Sequence, residues 1–175
     1  MNHKLTLVLG LFVALVAVSA PSAPARADID LEVAALIGTG VDTEDASNNP
    51  YALQLGAVGE LTVGNLVLGV RGTRSKGTDE ECVDCRNVKD IRTIGGDLGY
   101  SFNIAMLHIG PRLGLGYLKE RDGDRVGGYL EPGAVAEAQI MLFVVGADLR
   151  YRVALGNDAD DLNGFLAYLR LGVRF

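Results

Sequence analysis

Few residues in this sequence are of the types that do chemistry, and they fall into three groups. The first is His108, the single histidine beyond His3. A hydrolase or acyltransferase needs a nucleophile held against a base. His108 instead stands beside a tight turn, on the polar side of the alternating stretch LHIGPRLG, and it reads as a structural hydrogen-bonding group. The second group is Cys82 and Cys85, in EECVDC. In an oxidising compartment two cysteines this close favour a small disulfide. A metal site borrowing Asp79, Glu80, Glu81 or Asp84 is the sharper alternative, although a lone C-x-x-C lacks the second ligand pair that marks zinc. A free or redox-active pair is the third possibility. The last group is GNDADDLNG, where Asp158, Asp160, Asp161 and Asn163 precede Gly164. Leu162 takes the fifth position, so the run misses the D-x-D-x-D-G register of a calcium loop and is expected to be solvated. No catalytic, cofactor-binding or metal residue is assigned.

The start of the chain sets the compartment. Lys4 precedes an apolar run over residues 5–20 that is too short and too weakly flanked for a membrane helix, and PSAPARA follows, ending in the small-x-small pattern Ala25-Arg26-Ala27. Residues 1–27 are therefore expected to be a cleaved signal peptide and residues 28–175 a single domain. Cleavage removes Lys4 and Arg26 and no acid, leaving 14 basic against 22 acidic side chains, a net charge of −8. Such a chain should not seek nucleic acid. Glycine runs at about twice its usual frequency without proline enrichment, which points to strands with crowded backbone. No mature stretch approaches the length of a membrane helix, so a closed barrel is the other spanning solution that pairs every backbone polar group.

Period-2 alternation gives eight segments, at 29–40, 51–63, 66–76, 91–103, 106–119, 126–140, 143–155 and 164–175. In the last, Phe165, Ala167, Leu169, Leu171, Val173 and Phe175 share one face, and Arg170, Gly172 and Arg174 the other. The seventh sets Phe143, Val145, Ala147, Leu149, Tyr151 and Val153 against Val144, Gly146, Asp148, Arg150 and Arg152. The predicted fold is all-β: an eight-stranded antiparallel up-and-down transmembrane barrel. Alternation does not reveal which face points inward. A soluble lipocalin-like barrel, with its apolar face inside, is the runner-up.

The connections alternate in length. Gly64-Asn65, Ile104-Ala105 and Met141-Leu142 are tight turns, whereas 41–50, 77–90, 120–125 and 156–163 are longer and hold 14 of the 22 acids. Short turns on one side and long loops on the other suit an outer-membrane barrel with both termini in the periplasm. Tyr51, Tyr117, Tyr129, Tyr151 and Phe165 fall toward the long loops, and Tyr100, Phe102, Phe143 and Phe175 toward the short turns, as two interfacial girdles. Arg74, Lys76, Arg86, Lys89, Lys119, Arg121 and Arg125 lie near the outer rim. They could pair with lipopolysaccharide phosphates, solvated charges being the plainer reading.

Placing the face opposite the apolar one inside puts Glu32, Glu60, Asp97, Glu131, Glu137 and Asp148 in the lumen with Arg71, Arg112, Arg150, Arg152, Arg170 and Arg174. A barrel of eight strands is only just wide enough for side chains. An ion-pair network filling the lumen is therefore expected, with no open channel.

With these features in place, the mature chain resembles the OmpA/OmpX-type family of small outer-membrane barrels. The C-terminal YLRLGVRF resembles the β-signal read by the barrel assembly machinery, with Phe175 terminal and Val173, Leu171 and Leu169 on its face. GYLEPGAVAEAQI resembles a recurrent strand of such barrels, with Glu131 and Glu137 inward and Pro132 toward lipid. The resemblance does not extend to a periplasmic peptidoglycan-binding domain, so no cell-wall anchoring is expected. It implies an outer-membrane location, outer-membrane lipids, lipopolysaccharide and the assembly machinery as partners, and a monomer. Shared architecture does not settle activity. A structural or surface-interaction role is the leading expectation, a small pore the alternative, and a lipid-modifying enzyme the third reading.

Overall fold

The computed structural model describes residues 29–43, 50–76, 90–120, 126–156 and 162–175. These form β1 (Ile29–Asp42), β2 (Leu53–Val63), β3 (Leu66–Lys76), β4 (Ile91–Tyr100), β5 (Phe102–Ile104), β6 (Leu107–Glu120), β7 (Val126–Ile140), β8 (Phe143–Leu155) and β9 (Gly164–Arg174). Each strand pairs antiparallel with its neighbour, and β1 pairs with β9, so the sheet closes on itself. β4 and β5 run one after the other along β6, which makes eight staves from nine strands. The seam continues past β9: the N–H groups of Leu31 and Phe175 donate to each other's carbonyls at 3.0 and 2.9 Å.

The fourth stave departs from the sequence expectation of one strand over 91–103. It breaks at Ser101, whose N–H donates to the Asn65 carbonyl at 2.8 Å. Asn65 Nδ2 donates to the Tyr100 hydroxyl at 2.8 Å. The β2–β3 turn thus pins the chain where β3 begins, and β5 continues against β6 alone. The tight turn expected at Ile104-Ala105 falls one residue later, at Ala105-Met106. All three tight turns open with a left-handed residue: Gly64 at φ 63°, Ala105 at 55° and Met141 at 57°.

Burial alternates along every long strand, and the apolar side is the exposed one. Ile37, Leu55, Val70, Ile94, Leu115, Leu149 and Leu169 all face outward. A lipocalin-like barrel would show the reverse. Where the long loops join, the interior is apolar and aromatic, built from Leu36, Tyr51, Ile91, Leu118, Leu162, Leu166 and Tyr168. Toward the short turns it is charged. Small residues make room for this filling: a Cβ at Gly114 would lie 2.9 Å from Asp97 Oδ1 and 3.0 Å from Arg150 Nη1.

Candidate functional site

The distinctive chemistry of the described residues lies in the lumen. Because side chains on a strand alternate, every second residue of each stave projects into one narrow space. The twelve charged residues named from sequence all lie there, each at most 6% exposed.

They gather in three tiers. Nearest the short turns, Arg170 meets Glu32 at 2.6 Å and Glu60 at 2.7 Å, with Glu137 at 3.3 Å. Arg174 pairs with both Glu32 and Glu137. Arg112 lies 3.6 Å from Glu60 and donates Nη1 to the Tyr100 carbonyl at 3.0 Å. In the middle tier Arg150 donates to Asp97 and Asp148, both at 2.7 Å. Arg71 joins the same two carboxylates, at 3.2 Å from Asp97. These contacts reach from β3 and β4 on one wall to β8 on the other, so they cross the lumen. In the third tier Arg152 donates Nε to Glu131 Oε1 at 2.6 Å. Its guanidinium lies over Tyr51 and Tyr129, 5.3 and 5.2 Å from the ring centroids.

Arginine suits this arrangement because its planar fork bridges two carboxylates at once, as Arg150, Arg170 and Arg174 do. Buried charges persist only when paired, so the network is also a demand on the fold: each stave must hold its register.

Sequence reasoning missed the aromatic part of the lumen. Tyr51, Tyr129 and Tyr100 were expected in the girdles, and all three are buried instead. For Tyr129 the signal was available, since it shares parity with Glu131 and Glu137. For Tyr51 the alternation expected over 51–63 pointed outward, but β2 begins only at Leu53, so Tyr51 lies in the connection and turns inward. Its hydroxyl donates to the Leu162 carbonyl at 2.6 Å. Burial pushes this phenol above its ordinary range, so it stays a donor. Tyr168, which shares parity with Arg170, donates to Gln54 Oε1 at 2.7 Å and was likewise missed. The outward aromatics that remain are Tyr117, Tyr151 and Phe165 at one end, and Phe102, Phe143 and Phe175 at the other. Tyr151 and Phe165 pack with tilted rings, centroids 4.8 Å apart.

His108 Nδ1 lies 2.8 Å from the side-chain oxygen of Asn103, a contact that supplies no nucleophile. Leu169, Leu171, Val173 and Phe175 line the outer face of the last stave. Cys82, Cys85, Arg86, Lys89, Arg121, Arg125, Asp158, Asp160 and Asp161 lie outside the described residues.

Neither a protein-family model nor a curated protein matches this sequence. Solved structures do. The chain is similar to Neisserial surface protein A at 16% identity, over 83% of this chain and 95% of that one, with a TM-score of 0.55. It is also similar to Ail, the attachment invasion locus protein of Yersinia pestis, solved in complex with the heparin analogue sucrose octasulfate. There the identity is 19%, over 86% of this chain and 100% of that one, with a TM-score of 0.54. At such identities the likeness speaks of architecture, and the architecture is that of the small eight-stranded outer-membrane barrels of the OmpA, OmpX and Ail type.

Proposed function

We propose that this chain is an exported outer-membrane protein with a structural or surface-interaction role. In this reading residues 1–27 are removed as a signal peptide, the staves cross the bilayer, the long connections reach the cell surface and both ends stay in the periplasm. One observation carries it: among the described strand residues the outward face of a closed sheet is an apolar band, broken only by four cations at its long-loop edge, while the paired charges are inside. Closure gives each stave two hydrogen-bonded neighbours, so the backbone needs no water, and lipid is the solvent that such an exterior fits.

The lumen ion pairs support a shut barrel over a pore, and the Asn103 partner of His108 supports a non-catalytic role. The long connections hold 14 of the 22 acids, so the polyanion seen with Ail is not carried over. A cationic partner or divalent ions suit them better. Phe175, whose backbone closes the seam and whose side chain is exposed, is the residue on which assembly depends.

Fractionation with gel mobility tests the location. The folded protein should pellet with outer membranes and migrate differently before and after boiling. Recovery in the soluble pool with identical mobility defeats the reading. In planar bilayers the protein should show no large steady conductance, and a stable open level would favour the pore instead. Phe175→Ala should lower outer-membrane yield; unchanged insertion would remove the assembly role.

A further inference from the structure

The ladder between β7 and β8 is interrupted partway up the wall. Residues 128–130 pair with 153–155 and residues 133–140 with 143–150, but Glu131 and Pro132 fall out of register with Arg152 and Tyr151. The cause is in the sequence. From the tight turn flanked by Ile140 and Phe143, every second pair exchanges both of its backbone hydrogen bonds, and Pro132 with Tyr151 is such a pair. Proline brings no N–H, so the Tyr151 carbonyl loses its ladder donor. Against lipid, no water replaces it.

The same place is hollow on its outer side. A groove of about 510 Å³ opens there, lined by residues of β1, β9, β8 and β7. Its floor is low because Thr39, Ala167 and Ala134 share one row, with Leu149 its single bulky member. Pro132, Tyr151 and Phe165 bound it toward the long connections. The volume lies within the roughly 300–1,000 Å³ of small-molecule sites. The side chains that line it do not supply the missing donor. Thr39 Oγ1 donates to the Ala52 carbonyl at 3.0 Å, and Arg150 is turned inward to Asp97 and Asp148. The Tyr151 phenol is held away from its own backbone by the length of its ring.

We propose that this groove holds an uncharged single-chain amphiphile of the long-chain alcohol class, entering sideways from the bilayer. Its chain lies over Ala134 and Ala167, and its hydroxyl donates to the Tyr151 carbonyl. This rests on the membrane-spanning reading above. A phosphate or carboxylate would set one acceptor against another, and a charged amine would lose its hydration inside an apolar wall. A plain hydrocarbon chain fills the groove but leaves the carbonyl without a partner.

The test uses the folded protein in phosphatidylcholine nanodiscs loaded with hexadecanol or with hexadecyl methyl ether, which has the same chain and no donor. Ligand retained after gentle extraction is counted by native mass spectrometry. Wild type should keep the alcohol about fivefold over the ether, the worth of one hydrogen bond. Pro132→Ala restores the N–H, so it should hold both ligands alike and resist urea better than wild type. Pro132→Gly, which also restores the N–H, should agree. The variant A134L/A167L fills the floor and should lose both ligands while staying heat-modifiable. An inserted wild type that holds alcohol and ether equally overturns the site and leaves a plain apolar dent. A preference that survives both Pro132 variants overturns the carbonyl as the partner, and retention by A134L/A167L overturns the groove as the place. A wild type that does not insert overturns the membrane reading, and the site falls with it.

Discussion

The inner and outer faces of this barrel are built from the same staves, one residue out of step, and they follow opposite rules. Inside, seven acids and six arginines are buried among the described residues, and six of those acids are joined to the arginines by contacts, several of which span the lumen. Outside, among the described strand residues, long stretches hold nothing but apolar and small side chains, and the charges are confined to one strip of cations. The polarity of each face is set by what lies beyond it. Paired charges fill a space too narrow for bulk water, and lipid-compatible side chains cover the rest.

The strongest way to break the inner rule is Arg150→Ala. It removes the group that lies between Asp97 and Asp148, which Arg71 alone then has to neutralise. Removing one partner of a buried pair costs about 3–5 kcal/mol. Urea titration in lipid vesicles, followed by the fraction that keeps its folded gel mobility, should show a midpoint lowered accordingly. A midpoint within experimental scatter of wild type would mean that water replaces the guanidinium and that the lumen is not dry.

The outer rule is tested by depth. Val70 is 69% exposed in the middle of β3, while Leu53 stands at the rim opposite Lys76. If lipid covers this face, Val70→Arg costs about 2–4 kcal/mol and Leu53→Arg about 0–1 kcal/mol. In water both changes would be nearly neutral, and equal small effects would remove the membrane from the account. The same urea titration reads both variants against one wild-type curve.

Much of this contrast was legible in the chain before folding. Alternation located the staves to within a few residues and sorted Arg150 from Leu149, because neighbours on a strand point to opposite faces. Alternation cannot say which face is inside. That depends on closure, a property of all eight staves at once. The break at Ser101 was equally hidden, since it follows from a contact with Asn65 that exists only when β3 and β4 lie side by side. Tyr51 shows the same limit: the alternation that points it outward runs past the start of β2, and its burial is decided by Arg152 and Leu162 arriving from elsewhere. The strip of Arg74, Arg92 and Lys119 was half visible. Arg74 and Lys119 stood out as rim cations, but the register that aligns them through Arg92 comes from pairing alone.

The smallest effect lies where the faces meet, in the tight turns. The left-handed conformation at Gly64 costs a glycine almost nothing, but Ala105 and Met141 adopt it with a Cβ. For an L-residue that region is disfavoured by about 1–2 kcal/mol. The unfolded glycine chain gives some of this back in entropy. Ala105→Gly should therefore stabilise the barrel by a net gain of up to about 1 kcal/mol, and Gly64→Ala should destabilise it by a similar amount. Both changes touch neither the lumen pairs nor the apolar wall, so conductance should stay as in wild type. A shift of the urea midpoint in opposite directions for the two variants would tie turn strain to the backbone. A destabilised Ala105→Gly would mean that the turn relaxes to another conformation once the side chain is gone, and that Ala105 holds β5 and β6 together through its Cβ rather than in spite of it.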